Sequence, residues 1–146
     1  MKNLVIAALG LCAVVARADT PAQATYKTEA AMVAALAAGQ ATPDMLTSVI
    51  SNDDRHRINL IRRTKPAGAV AHDGFAELHH IVEGSGTLVT GGTIVRPTGR
   101  GAATIQDGVS RHVSKGDVIL VPPGMPHWYK DLDAPITYLE VRWAEK

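Results

Sequence analysis

The chain has 146 residues, of which 15 are Lys or Arg and 14 are Asp or Glu, so its formal net charge is +1. A chain of this length is one ordinary domain with enough material to bury a core. The near balance of charges gives no electrostatic basis for binding nucleic acid, and we expect no such partner.

An apolar run near the N-terminus predicts an export signal. Lys2 precedes apolar residues 4–15, a run too short to span a bilayer, and the small-x-small pattern Ala16-Arg17-Ala18 follows. We therefore expect a signal peptide over residues 1–18 and a periplasmic or secreted mature protein with no membrane attachment. The alternatives are a buried N-terminal helix and lipid anchoring at Cys12, although Leu11 is large for a lipoprotein site.

The predicted mature chain contains no cysteine, because Cys12 lies in the signal segment. No disulfide can form there even in an oxidising compartment, so core packing, with or without a bound metal, must hold the fold. We divide the chain into the signal peptide (1–18), an N-terminal helical arm (19–54) and a β-domain (55–146).

The N-terminal arm is predicted to contain two short helices. The first covers Thr28 to Gly39, which is rich in alanine and has apolar residues at helical spacing before a glycine C-cap. The second begins at Thr42 and Pro43, typical of an N-cap and a first helical residue, and continues to Val49. The alternative is a partly mobile arm, because alanine-rich segments bury little area.

From Arg55 onward the pattern changes to short strands separated by Gly and Pro, which is typical of an all-β sandwich or barrel. Gly91-Gly92 suits a tight hairpin between its flanking strands, because such turns need positive φ. Gly84-Ser85-Gly86 is predicted to be a turn, and residues 97–110 a long loop. The predicted strands lie within residues 58–61, 78–82, 88–90, 93–95, 118–121, 128–129 and 136–143.

Basic residues surround the first predicted strand. One interpretation is an anion-binding edge, and the other, which we favour, is that the charges block pairing at an edge strand. We call these residues the basic cluster: Arg55, Arg57, Arg62, Arg63 and Lys65.

Histidines are the most informative feature of the β-domain. Imidazole is the commonest protein metal ligand, because it binds in its neutral form near physiological pH. Four of the six histidines fall in or beside predicted strands: His72, His79, His80 and His127.

Two segments place some of these histidines in motifs. Residues 116–127 have the spacing G-x5-P-x-G-x2-H, which ends at His127, and His72-x4-Glu77-x6-Gly84 lies upstream. These segments resemble the second motif, and the latter part of the first motif, of the cupin superfamily. The resemblance implies an all-β cupin double-stranded β-helix, a jelly-roll barrel, behind a short N-terminal helical segment.

The resemblance further implies that one divalent metal ion (Fe, Mn, Zn, Ni or Cu) is bound by His72, Glu77 and His127. Val70 stands where cupins usually carry the first histidine of H-x-H, and it cannot bind a metal. Two histidines and one carboxylate leave coordination positions open. His79 is a candidate replacement ligand, because side chains two apart on a strand share a face, here with Glu77. A pocket-lining or supporting role for His79 is the alternative.

The alternative interpretation of these histidines and Glu77 is a barrel that has lost its metal and binds only a ligand or packs a core. Burying Glu77 without a positive partner would cost several kcal/mol unless it took up a proton, which favours the metal. His80 is expected on the opposite face of its strand, and His56 and His112 at the surface. Asp131 occupies a motif position that is usually asparagine.

Two functions fit these residues. The first is an enzyme acting on a small sugar or aromatic derivative by lyase, isomerase or oxidative chemistry, and the alternative is a non-catalytic metal- or ligand-binding module. The last strand discriminates between them, because inward-facing Tyr138, Glu140 and Arg142 would add polar groups to the site, whereas the opposite face would not. Phe75, Trp128 and Tyr138 are predicted to be core rather than pocket mouth. The resemblance also implies a homodimer.

Overall fold

The computed structural model describes residues 24–145, and the predicted signal peptide lies outside the described residues. One helix and nine strands occur within this range, and none of its helices is long and apolar enough to cross a membrane. In chain order the elements are α1 (Glu29–Ala37), β1 (Gln40–Thr42), β2 (Met45–Asn52), β3 (His56–Arg63), β4 (Phe75–Thr90), β5 (Thr93–Val95), β6 (Thr104–Gln106), β7 (Val109–Ser114), β8 (Val118–Val121) and β9 (His127–Ala144). The predicted all-β class with one short N-terminal helix is confirmed.

The N-terminal arm contains the first of its two predicted helices. Thr28 caps α1, because its side-chain oxygen accepts a hydrogen bond from the Ala31 N–H at 3.1 Å. The second predicted helix is wrong: residues 42–49 complete β1, turn at 43–44 and enter β2. The turn joins β1 to β2 as a hairpin, and β2 pairs with β3, which satisfies its backbone groups.

The main sheet has the strand order β1-β2-β3-β9-β4-β7, and β8 also pairs with β4. β4 and β9 are long antiparallel partners whose register shifts at several points, and such irregularities bend strands. β8 pairs with the first half of β4 and β7 with the second half. The core cluster contains Ile61, Ile81, Leu88, Val113, Tyr129, Ile136 and Tyr138.

Glycine positions account for further differences from the predicted strands. Gly84 is not in a turn: it has a φ of 79° within β4, where a Cβ would overlap the Pro135 carbonyl oxygen, so β4 continues through a bulge. Gly91 and Gly92 have positive φ as predicted, but their flanking strands do not pair. Instead β4 pairs with β7 and β5 with β6, so the predicted loop at 97–110 contains β6 and the start of β7.

Candidate metal and ligand site

A cavity of about 330 Å³ is lined by alternate residues of β3 and β9 together with three histidines. Because side chains alternate along a strand, β3 contributes Asn59, Ile61 and Arg63 to it. The volume is at the lower end of the range for small-molecule sites. The sequence did not determine which face of the last strand points inward. In the structure that face carries Tyr138, Glu140 and Arg142, which line the cavity.

Three of the predicted ligands meet beside this cavity. The Nε2 atom of His72 lies 3.4 Å from Oε1 of Glu77, and that of His127 lies 3.5 Å from Oε2. These three residues form a group whose potential ligand atoms all lie within 4.8 Å of one another. Ligand atoms about 2.1 Å from a shared metal stand roughly 3.0–3.4 Å apart, so the group is close to the dimensions of a metal site.

The hydrogen bonding of this group is suited to holding a cation. His127 Nδ1 lies 3.1 Å from the Met125 carbonyl oxygen, an acceptor only, so Nδ1 carries the proton and the lone pair of Nε2 faces Glu77. Oε1 of Glu77 is buried and accepts no well-aligned hydrogen bond within residues 24–145, although Nη2 of Arg142 lies 2.8 Å from it. A buried carboxylate oxygen of this kind suits a cation, either the Arg142 guanidinium or a divalent metal that competes with it.

His79 lies at the site, but both of its ring nitrogens have protein partners. Nε2 is 3.1 Å from Oε2 of Glu77, and Nδ1 is 3.1 Å from the hydroxyl of Tyr129. Burial raises the pKa of Tyr129 far above its usual range, so its O–H donates to Nδ1 and Nε2–H donates to Glu77. His79 belongs to a second possible metal-binding group with Glu77 and Glu140, which shares only Glu77 with the group of His72 and His127.

Arg142 was a candidate polar group of the last strand, but the sequence did not indicate that it pairs with Glu77. Its Nη2 lies 2.8 Å from Oε1 of Glu77 and 3.4 Å from Oε2 of Glu140. Glu77 is buried, but Arg142 gives it a positive protein partner, so the cost of an uncompensated buried charge does not arise. Metal binding is therefore supported by the donor group of His72, Glu77 and His127 and not by an uncompensated charge.

Burial and the neighbouring charges shift the pKa values at the site. Burial raises the pKa of Glu77, but the hydrogen bond from His79 and the charges of His127 and Arg142 outweigh it and lower the value to about 2. Burial lowers the pKa of His127 to about 4, and burial also lowers that of His72. At neutral pH the group therefore offers the carboxylate of Glu77 and the neutral imidazoles of His72 and His127, the forms that bind metals.

The basic cluster does not lie at a sheet edge, because β3 pairs with β2 on one side and β9 on the other. Its members separate by strand alternation: Arg62 binds Glu83 on the outside at 2.9 Å, while Arg57 and Arg63 line the cavity. The alternation of side chains along residues 57–63 was the one sequence feature that could have placed Asn59 and Arg63 on the same face of the strand. The pairing of β3 with β9, which brings these residues to the site, depends on contacts distant in sequence.

The remaining predicted positions take simpler roles. Val70 lines the cavity and forms a β-bridge with His127. His112 is exposed and binds Asp133, as expected of a surface residue, whereas His56 is half-buried. Phe75 is 44% exposed, so its assignment to the core is wrong, and Tyr138 is buried core that also lines the cavity. The Trp128 indole N–H donates to the Ala67 carbonyl oxygen.

Comparison with known proteins agrees with the geometry. The chain matches the model of the AraC-like ligand binding domain over residues 68–142. A search of curated proteins found no match. Solved structures with the same fold include KdgF from Halomonas sp. (TM-score 0.52, 12% identity, covering 73% of this chain and 86% of KdgF). A further match is an RmlC-like cupin from Shewanella frigidimarina (TM-score 0.51, 15% identity, 74% and 83%). The iron(II) form of HppE also matches (TM-score 0.57, 9% identity, 72% and 54%).

At these identities the solved structures show the fold alone, and they confirm the predicted cupin domain. The family model covers all the cavity residues of β4 and β9 and the segments carrying His72 and His127. The chain therefore belongs to the AraC-like ligand binding domain family, a cupin-type family.

Proposed function

We propose that this cupin is a metal-dependent enzyme that converts a small sugar or aromatic derivative by lyase, isomerase or oxidative chemistry. The observation that carries the proposal is a second buried carboxylate beside the histidine and Glu77 group. Glu140 is 5% exposed, lines the cavity, and has a carboxylate oxygen within 4.8 Å of ligand atoms of Glu77 and His79. Two neighbouring carboxylates, Glu140 in the cavity wall and Glu77 buried beside it, allow one to move a proton and the other to hold a metal.

His72, Glu77 and His127 would hold the metal, and His79 would position Glu77 through its Nε2–H. A divalent metal bound there supplies Lewis-acid polarisation of a substrate oxygen or, if redox-active, electron transfer. The group fits because its three side chains offer neutral imidazole nitrogens and an ionised carboxylate at near-ligand spacing.

Glu140 is held ready for proton transfer by two neighbours. The amide Nδ2–H of Asn59 donates to its Oε1 at 2.8 Å, and Nη2 of Arg142 lies 3.4 Å from its Oε2. Both contacts fix the carboxylate plane in the cavity wall. In this proposal Glu140 takes a proton from a carbon or hydroxyl of the substrate and returns it to the product.

A non-catalytic ligand-binding module is the second candidate, and the description of the matching family as a ligand binding domain favours it. The same cavity would then hold a small molecule without changing it. The two candidates differ in what Glu140 does, because a binding module needs no proton transfer at that position.

Metal content is the first test. We expect the purified mature protein to contain about one equivalent of metal by elemental analysis, and His127→Ala to lose it. His112→Ala is the matched control, because His112 is exposed on β7 away from the cavity. Absence of metal from the wild type after reconstitution with Fe, Mn, Zn, Ni and Cu would contradict a metal-dependent function.

Turnover is the second test. The metal-loaded protein is incubated with a panel of sugar acids and aromatic acids, and their conversion is monitored by proton NMR. We expect the wild type to consume at least one compound, and Glu140→Gln to retain the metal while losing turnover. Binding without any turnover in the wild type would instead support the binding module.

We further propose that the protein is exported and forms a homodimer. The N-terminal run with its cleavage pattern supports export, and N-terminal sequencing of the periplasmic fraction tests it. Val118 and Leu120, 61% and 60% exposed on β8, give an apolar surface suited to a partner copy, and light scattering tests the dimer.

A further inference from the structure

Arg63 presents a positive charge in the cavity that the proposed metal site does not use. Its Nε donates a hydrogen bond to the Tyr138 hydroxyl at 3.0 Å, and its Cζ lies 5.3 Å from the ring centroid of Tyr129. Within residues 24–145, no carboxylate oxygen lies within 4 Å of this guanidinium. Its neighbour Arg62 points the other way and is paired with Glu83.

The hydroxyl of Tyr138 adds a second donor at the same place. Its oxygen accepts from Arg63 Nε, and no acceptor for its hydrogen occurs among the described residues. The guanidinium and the hydroxyl therefore offer adjacent donors, an arrangement that suits two oxygens of one carboxylate.

The balance of charge in the cavity favours an anion. Arg57, Arg63 and Arg142 line it, and the carboxylates within reach are Glu140 in the wall and Glu77 paired with Arg142. One positive charge is left over before any metal binds, and a divalent metal would increase the excess. A ligand carrying one negative charge would bring the site closer to neutrality.

We propose that Arg63 and Tyr138 bind the carboxylate of a small organic acid whose other end reaches the group of His72, Glu77 and His127. The orientation rests on the proposed function, whereas recognition of the carboxylate needs no metal. Arg63 would then determine specificity for acids over their neutral counterparts.

The dimensions agree with a small acid. The ring of Tyr138 lies 4.7 Å from that of His79 and 5.9 Å from Arg63 Cζ, so one aromatic ring separates the guanidinium from His79, which in turn contacts Glu77 of the metal-binding group. A ligand the size of a monosaccharide acid or a benzoate spans such a gap, and the cavity volume of about 330 Å³ admits it.

The test uses two pairs of probes that differ at the carboxylate: D-glucuronate with D-glucose, and benzoate with benzyl alcohol. Binding is measured by calorimetry and thermal shift on the full mature protein, once with zinc and once after chelator treatment. We expect at least one acid to bind more tightly than its neutral partner in both preparations. Arg63→Gln should weaken that binding roughly ten-fold or more, because a charge-assisted hydrogen bond is lost.

Arg62→Gln is the matched control, because it removes the adjacent charge on the outer face and should leave the affinity unchanged. Arg63→Lys keeps the charge without the planar fork and should recover only part of the affinity, which covers the case in which Arg63→Gln fails to fold. Neither acid binding better than its neutral partner, equal binding of inorganic phosphate, or an unchanged affinity in both Arg63 variants would overturn the proposal. Acid binding that depends on Arg63 in a protein unable to bind metal would leave this inference intact and refute the proposed metal-dependent function.

Discussion

Removing Arg142 is expected to have opposite effects on folding and on metal binding. Arg142→Met keeps much of the side-chain length but removes the charge that lies 2.8 Å from Oε1 of Glu77. In the metal-free protein Glu77 then loses its closest cation while it remains buried. With a metal present, the lost charge no longer repels the incoming cation.

The size of the folding effect follows from the contact. At 2.8 Å and an effective dielectric constant of about 20, the gross attraction is about 6 kcal/mol. Removing one partner of a buried pair costs about 3–5 kcal/mol in practice. Arg142 has 21% of its side chain exposed and Glu77 keeps His79, so we expect the lower end, about 3 kcal/mol.

The assay is urea unfolding in the presence of a chelator, followed by competitive zinc titration of the refolded protein. Arg62→Met is the control, because Arg62 and Glu83 lie at a similar 2.9 Å but have 35% and 60% of their side chains exposed. That exposed pair should contribute below about 1 kcal/mol. We expect Arg142→Met to lose stability and to bind zinc roughly ten-fold more tightly, by about 1.4 kcal/mol. A loss no larger than that of the control would refute the assigned role of Arg142.

Three further predictions concern the neighbours of this pair. Val70→His should tighten zinc binding roughly ten-fold in a competitive titration, because position 70 lines the cavity and pairs with His127. An unchanged affinity would mean that the introduced imidazole does not reach the metal. Tyr129→Phe should cost about 1–2 kcal/mol in urea unfolding by leaving His79 Nδ1 without a donor, whereas Tyr26→Phe, at a residue 82% exposed, should cost nothing measurable. Because burial lowers the pKa of His127 from 6.5 to about 4, the unfolded state takes up its proton first, so the metal-free protein should lose about 3 kcal/mol as pH falls from 6.5 to 4. A His127→Gln variant with the same pH slope would contradict that assignment.

Local sequence patterns predicted the all-β cupin fold, because its two motifs combine turn residues and histidines at fixed spacing. The error in the arm has a local cause. Thr42-Pro43-Asp44 suits both a helix start and the first residues of a β-turn. The turn forms because the residues after it, in β2, pair with β1 and β3. Gly84 likewise looks like a turn glycine, but its positive φ serves a bulge within β4.

At the site, the alternation of side chains along a strand predicted which face of the sheet each residue lies on. It did not predict which residues of other strands each side chain contacts. Glu77 and His79 were placed on one face because they are two apart, and the structure agrees. The contact of Glu77 with Arg142 depends on the register between β4 and β9, which is set by bulges that no local pattern specifies. The role of Arg63 could not be predicted for the same reason, because it depends on a hydrogen bond to Tyr138 on another strand.

The departure at Val70 and the presence of Arg142 have related consequences for the proposed metal binding. Without a histidine at position 70, the described group offers three ligands, and Arg142 already provides a counter-charge to Glu77 in the metal-free protein. The carboxylate and imidazoles are therefore preorganised without a metal, and a metal must compete with the guanidinium for Oε1 of Glu77. Such a site should bind metal more weakly than a full set of three histidines and one glutamate, and it should exchange the metal more readily. A bound organic acid can shift this competition, because its negative charge next to Arg63 lowers the positive potential that the metal meets on entry.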